Sequence, residues 1–251
     1  MIDCHAHLTD KKYINDLSEV RNGYLSAGVN LVLDSGYSLE TSYLAQKNAR
    51  NYSEVYFTAG SHPDDAINLD DITLEKLKEL SFDKKCLAIG ETGLDYHYLN
   101  FDKKIQKSAF IKQLELAIEV KKTVVIHSRD ACKDTVDILK EYHKHLNGFL
   151  MHCFSESKET AEIITELGGY FSFGGVITFK NAKKEEIIKS IPINRILLET
   201  DCPYMAPVPY RGSINKPEYI VKVYEKLCDI KGVELSALKS VVKENFSTLF
   251  M

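Results

Sequence analysis

The chain has 251 residues, 44% of them hydrophobic, enough to bury a large core as one large domain or two small ones. Its net charge of −4 supplies no global basic field, so composition announces no nucleic-acid ligand, whose phosphates would need local Lys/Arg groups or bound cations. No basic segment followed by an apolar core opens the chain, and the charge-free stretch 167–179 falls short of the roughly 20 residues a bilayer takes, so a cytoplasmic protein without a membrane span is expected.

The elements begin with "MIDCHAH", a short β-like run. Alternate residues of a strand share a face, which sets His5 and His7 side by side with Asp3. "VNLVLDSG" and "VYFTAGSHP" follow, the latter closing on His62, and "KCLAIGETGLD" carries Glu91. In the helical stretch 101–122, Phe110, Leu114, Ala117 and Ile118 fall at i, i+4, i+7 and i+8, one apolar face. "TVVIHSRD" brings His127 and, two residues on, Arg129; "GFLMHCFS" brings His152. "GYFSFGG" ends on Gly174 and Gly175, and "ILLETDCP" carries Glu199 and Asp201. Leu235, Leu238, Val242, Phe246 and Leu249 then space a closing helix.

These eight runs are rich in Val, Ile, Leu and Phe, as strands buried on both faces should be. Charged, helix-compatible stretches alternate with them, and no Pro/Gly/Ser-rich linker interrupts the series. The expectation is one α/β domain over 1–251, a (β/α)8 TIM barrel, with a doubly wound open sheet as the alternative. Six cysteines at 4, 86, 132, 153, 202 and 228 form no CxxC pair, and reduced thiols are expected.

Active sites of such barrels lie at the C-terminal ends of the strands. His5, His7, Glu91, His127, His152 and Asp201 all fall there. Any one of them is ambiguous: an HxH pair is often a satisfied core pair, and a Glu after Gly is often a turn residue. Together they would be costly to bury without a shared compensating charge, which cations supply. Four imidazoles and two carboxylates suit Zn, Mn, Ni or Fe. Six ligands would crowd one ion, so two divalent ions are expected. His5, His7 and Asp201 would hold one, His127 and His152 the other, and Glu91 would bridge them.

The segments "IDCHAHL", "GSHPDD", "IGETGLDY", "VVIHSRDA", "MHCFS" and "LLETDCPYMAPVPYRGSINKPEYI" resemble, in order, the landmarks of the TatD-type metal-dependent hydrolases, deoxyribonucleases of the amidohydrolase-like superfamily. The resemblance covers essentially the whole chain. It implies a barrel of the metallo-dependent hydrolase type and a divalent-metal-dependent nuclease (Mg, Mn, Zn, Ni or Co) trimming DNA from the 3′ end. The family's ligands fall on the same His5, His7, Glu91, His127, His152 and Asp201. Departures are modest: Cys4, Thr9, Thr123, Glu156 and Cys202 replace residues more usual there, and none removes a ligand. By alternation Cys4 and Cys202 are expected to face the helices.

Catalytic roles are expected for Asp201, Glu91 and His62. Asp201 would orient or deprotonate the attacking water, or serve only as a ligand. His62 would donate a hydrogen bond to substrate phosphate or leaving group, or only open the next helix before Pro63. Arg129 would contact phosphate or close a structural ion pair, and Arg211, in a Pro/Gly-punctuated loop, is a further substrate contact. Asp95 is either support for the Glu91 loop or a turn residue. Gly174 and Gly175 either admit a phosphate to the backbone or make a turn. Glu199 needs a local distortion or a buried partner. The partner expected is DNA, with no membrane and no obligate protein partner. Two other functions compete: hydrolysis of an amide, ester or small cyclic compound on the same barrel, and non-catalytic binding of nucleic acid or a protein.

Overall fold

A computed structural model describes residues 1–13, 16–97 and 102–251; Phe101, at the head of the expected helical stretch, lies outside them. Eight strands run parallel in chain order: β1 (Ile2–Ala6), β2 (Leu31–Ser35), β3 (Val55–Ala59), β4 (Cys86–Asp95), β5 (Thr123–Arg129), β6 (Phe149–Met151), β7 (Tyr170–Phe173) and β8 (Ile196–Leu198). Each neighbour is the next in sequence, as right-handed β-helix-β crossovers dictate. The ring closes between its first and last strands at the rim. Asp201 N–H donates to the His5 carbonyl at 3.0 Å, and His7 N–H donates to the Cys202 carbonyl at 2.9 Å. The expected (β/α)8 barrel is the observed fold.

The intervening helices are α1 (Leu17–Ser26), α2 (Leu39–Asn51), α3 (Asp71–Ser81), α4 (Lys103–Val120), α5 (Cys132–Tyr142), α6 (Lys158–Glu166), α7 (Glu185–Ser190), α8 (Ile220–Lys231) and α9 (Leu235–Phe250). Several start where a side chain caps the first turn: Ser38 with Thr41, Asp70 on Thr73 N–H, Asp102 on Lys104 N–H, and Ser157 on Thr160 N–H. α4 buries Phe110, Leu114 and Ala117 of its expected face. The closing helix α9 packs back on β1 and β8 through Leu238, Val242, Phe246 and Leu249. Among the described residues, no helix is long and apolar enough to cross a membrane.

Three features of the strands set up the rim. β4 is buried along its whole length and runs past Glu91 to Asp95, so one strand delivers both carboxylates. Gly90 and Gly93 flank Glu91 with φ of +140° and +141°, and a Cβ on Gly93 would overlap the His127 carbonyl oxygen. Only glycine combines that conformation with that approach of β5. Register shifts between Asp3 and Ala6 in β1, and between Ile89 and Thr92 in β4, interrupt strict alternation at the strands that carry His5 and Glu91.

Candidate metal centre

Six side chains from five strand ends meet inside the mouth of the barrel, and they form two poles about Glu91. On one side Glu91 Oε2 lies 3.3 Å from His5 Nε2 and 3.6 Å from His7 Nε2, while Asp201 Oδ1 lies 3.3 Å from His7 Nε2 and 3.8 Å from His5 Nε2. On the other, Glu91 Oε1 lies 2.9 Å from His127 Nδ1 and 2.8 Å from His152 Nε2. The rings of His5 and His152 stack at 4.1 Å between centroids, which joins the poles into one cluster. Sets of three side chains from this cluster, such as His5, His7 and Glu91 or Glu91, His127 and His152, place ligand atoms close enough to share an ion.

The outward nitrogen of each imidazole is aimed at an acceptor. His7 Nδ1 faces the Ser35 carbonyl at 3.1 Å, and His5 Nδ1 faces the Ser35 hydroxyl at 3.1 Å. His127 Nε2 faces Asp95 Oδ2 at 3.1 Å. His152 Nδ1 and Glu199 Oε1, 3.6 Å apart, are both buried without a hydrogen bond, while the other Glu199 oxygen accepts from the Ser172 hydroxyl at 2.6 Å. A carbonyl or carboxylate acceptor fixes the proton on the outer nitrogen and turns a lone pair inward. Inward lone pairs so set on His7 and His127, the imidazoles of His5 and His152 beside them and two carboxylates, with His5 Nε2 only 3.3 Å from His7 Nε2, form a donor set that fits divalent cations.

Electrostatics say the same. Burial opposes ionisation of Glu91, yet His152 and His5 hold its carboxyl well below the ordinary range. Burial likewise opposes a charge on His7, but Asp201 and Glu91 raise it to about 9; for His152, Glu91 and Glu199 overcome burial and raise it well above normal. His5 goes the other way, pushed down by burial and by His152. The cluster demands positive charge, from protons or from cations.

His62 joins the second pole: its Nε2 lies 3.7 Å from Glu91 Oε1 and its ring meets that of His127 edge-on at 4.5 Å. Its Nδ1 accepts from Asp64 N–H at 3.1 Å, which leaves the proton on Nε2, directed into the mouth. Burial pushes its pKa down to about 3, so it is a neutral donor. It also opens the short turn Pro63–Asn68, the helix-entry role expected of it. Arg129 ends β5 with its charge felt by Asp64 and Asp95. Arg211 lies in the exposed loop after β8 with its guanidinium 4.4 Å from the Phe179 ring, and takes no part in the hydrogen bonds of the cluster.

Several local expectations are sharpened or corrected. Asp95 supports His127, and Glu199 has its partners in Ser172 and His152. Gly175 is required by packing, because a Cβ there would overlap the Met205 carbonyl. The shift in β1 undoes the alternation that set Cys4 against the helices: its thiol neighbours Glu199, Asp3 and Ser172. Cys202 neighbours Tyr13 and Asp3 instead. Sequence reasoning missed Ser35, which anchors two imidazoles from the end of β2, although a polar residue closing "VLDS" at a strand end was the available signal. It also missed Tyr37 and Tyr204, whose rings meet His7 edge-on at 5.4 and 6.1 Å.

The family model for TatD related DNase matches residues 2–251. "Uncharacterized metal-dependent hydrolase YabD" of Bacillus subtilis is 41% identical over 251 residues, covering 100% of this chain and 98% of that protein. The "3'-5' ssDNA/RNA exonuclease TatD" of Escherichia fergusonii is 31% identical over 256 aligned positions, covering 100% and 98%. The crystal structure of YJJV, a TatD homolog from Escherichia coli K12, superposes with a TM-score of 0.94 at 29% identity, over 100% of this chain and 97% of that one. The chain belongs to the TatD-related DNase family of metal-dependent hydrolases.

Proposed function

We propose that this protein is a divalent-metal-dependent phosphodiesterase that hydrolyses DNA, trimming it from the 3′ end, through a two-ion site. The observation that carries this reading is Glu91, which turns one oxygen to each of two separate nitrogen poles. His5, His7 and Asp201 would hold one ion, His127 and His152 the other, with Glu91 between them. Bound divalent ions supply an acidified water, neutralise charge on the phosphate and assist the departing oxygen.

The remaining work falls to the chain's own groups. Asp201 is the more accessible of the two central carboxylates, its side chain 11% exposed against 4% for Glu91. Burial opposes its ionisation, but His7 keeps it below the ordinary carboxylate range, so it is ready to orient water and accept its proton. Neutral His62 donates from Nε2 to a phosphate oxygen, and Arg129 at the same side of the rim adds positive charge. The similarity to a TatD protein named as an exonuclease supports the nuclease reading.

The test is a panel of single-stranded DNA, RNA, amides and carboxylic esters offered to the protein loaded in turn with Mg, Mn, Co and Zn. The expected result is cleavage of DNA with at least one of these metals. Turnover of amides or esters with DNA left intact would overturn the proposal.

A further inference from the structure

The rim of the metal centre is chemically uneven. Beside the second pole stand His62, Asp64, Asp95 and Arg129, a polar and charged wall. Beside the first pole stand two aromatic rings, Tyr37 and Tyr204, each meeting the His7 imidazole at a steep angle, 78° and 70°. Tyr204 is 47% exposed, and Met205 next to it in sequence is 39% exposed. The phenol is held in place: its hydroxyl donates to Asp10 Oδ2 at 3.2 Å, and the Lys12 ammonium lies 5.0 Å from its ring centroid.

Charge decides what this wall can receive. Lys12 over the ring is offset by Asp10, whose carboxylate also accepts from the Tyr204 hydroxyl. A planar, uncharged group would find a fixed ring, a neighbouring methionine and an ammonium. Those are the requirements for stacking a nucleobase, and stacking of this kind reaches only bases that are free of a duplex.

Resting on the phosphodiesterase reading above, we infer that Tyr204, backed by Tyr37 and Lys12, is a base-stacking subsite that holds the nucleobase next to the scissile phosphate. The scissile phosphate then lies over the poles, with Arg129 and His62 on its far side. The subsite makes Tyr204 a specificity-determining residue, one that reads the presence of a base at that position.

The test uses an end-labelled single-stranded oligonucleotide, and the same strand with one tetrahydrofuran abasic sugar, cut by metal-loaded protein and resolved bond by bond. Wild-type protein should cut the bond beside the abasic sugar about tenfold more slowly than the same bond in the complete strand. In Tyr204→Ala that deficit should disappear, and in Tyr204→Phe it should remain. Each protein is judged by the ratio of two bonds in one preparation, so partial misfolding does not alter the result. A wild-type deficit of less than twofold would overturn the subsite, as would a tenfold deficit that survives Tyr204→Ala; either leaves the phosphodiesterase reading standing. If neither strand is cut with any divalent metal, the phosphodiesterase reading falls and the subsite with it.

Discussion

Glu91 owes its position to residues outside the six. Gly90 and Gly93 let the strand bring its two oxygens between four imidazoles, while Ser35, Asp95 and Glu199 hold the outer edges of those rings. The Glu199–His152 contact is the weakest of these anchors in length, 3.6 Å, and among the described residues neither of these buried atoms makes a hydrogen bond. Glu199→Ala should therefore free His152 to rotate and lower affinity for the ion at the His127–His152 pole by about 10–100-fold, measured by competition with a chelator. Unchanged affinity would mean that Glu91 and the stack on His5 suffice to fix His152. A second residue-scale consequence concerns pH. In the metal-free chain His7 keeps its proton up to about 9, and an incoming divalent ion must displace it. Since the proton-bound form cannot bind metal, affinity should rise with pH, about tenfold per unit for each proton displaced, until His7 and His152 have both lost theirs. Calorimetry in buffers of different ionisation enthalpy would count those protons, and a flat affinity between pH 6 and about 9 would contradict the cause given.

At the scale of the element, β4 shows what a sequence discloses and what it hides. Its apolar run and the Glu after glycine were legible, and so was the helical face of α4 that covers it. So was its run to Asp95; the facing of its side chains was not, because a strand that shifts register at Ile89–Thr92 no longer obeys the alternation by which faces are read. The same loss of alternation misplaced Cys4 in β1. Anchors such as Ser35 and Ser172 were hidden for another reason: they act across strands, and a lone serine carries no local pattern. The glycines provide the test at this scale. Gly93→Ala adds a Cβ against the His127 carbonyl at φ +141°, so it should cost at least about 1–3 kcal/mol in stability and displace His127. Chemical denaturation should show a lower midpoint with an unchanged slope, and metal content should fall with it. A variant as stable as the parent would show that β5 can move aside.

For the whole molecule, the barrel is the device that turns scattered residues into a site. His5 and Asp201 are far apart in sequence, but the first and eighth strands are neighbours in a closed ring, and the rim hydrogen bonds from Asp201 N–H to His5 and from His7 N–H to Cys202 lock them together. That convergence was legible because every strand could be read for the residue that ends it, and the architecture says that strand ends meet. The aromatic wall at Tyr37 and Tyr204 was not, since loops after strands carry no periodicity from which a facing can be read. Removing metal should leave the charge of the cluster to be balanced by protons alone, so a chelated sample should melt below the metal-loaded one, by a margin that grows with free metal concentration. The central claim is that two ions, bridged by Glu91, act together on a phosphodiester. Its most direct test is stepwise addition of metal to the chelated protein while cleavage of single-stranded DNA is followed. The account predicts that cleavage rises steeply only as the second equivalent per chain is bound; full activity at one equivalent would contradict it.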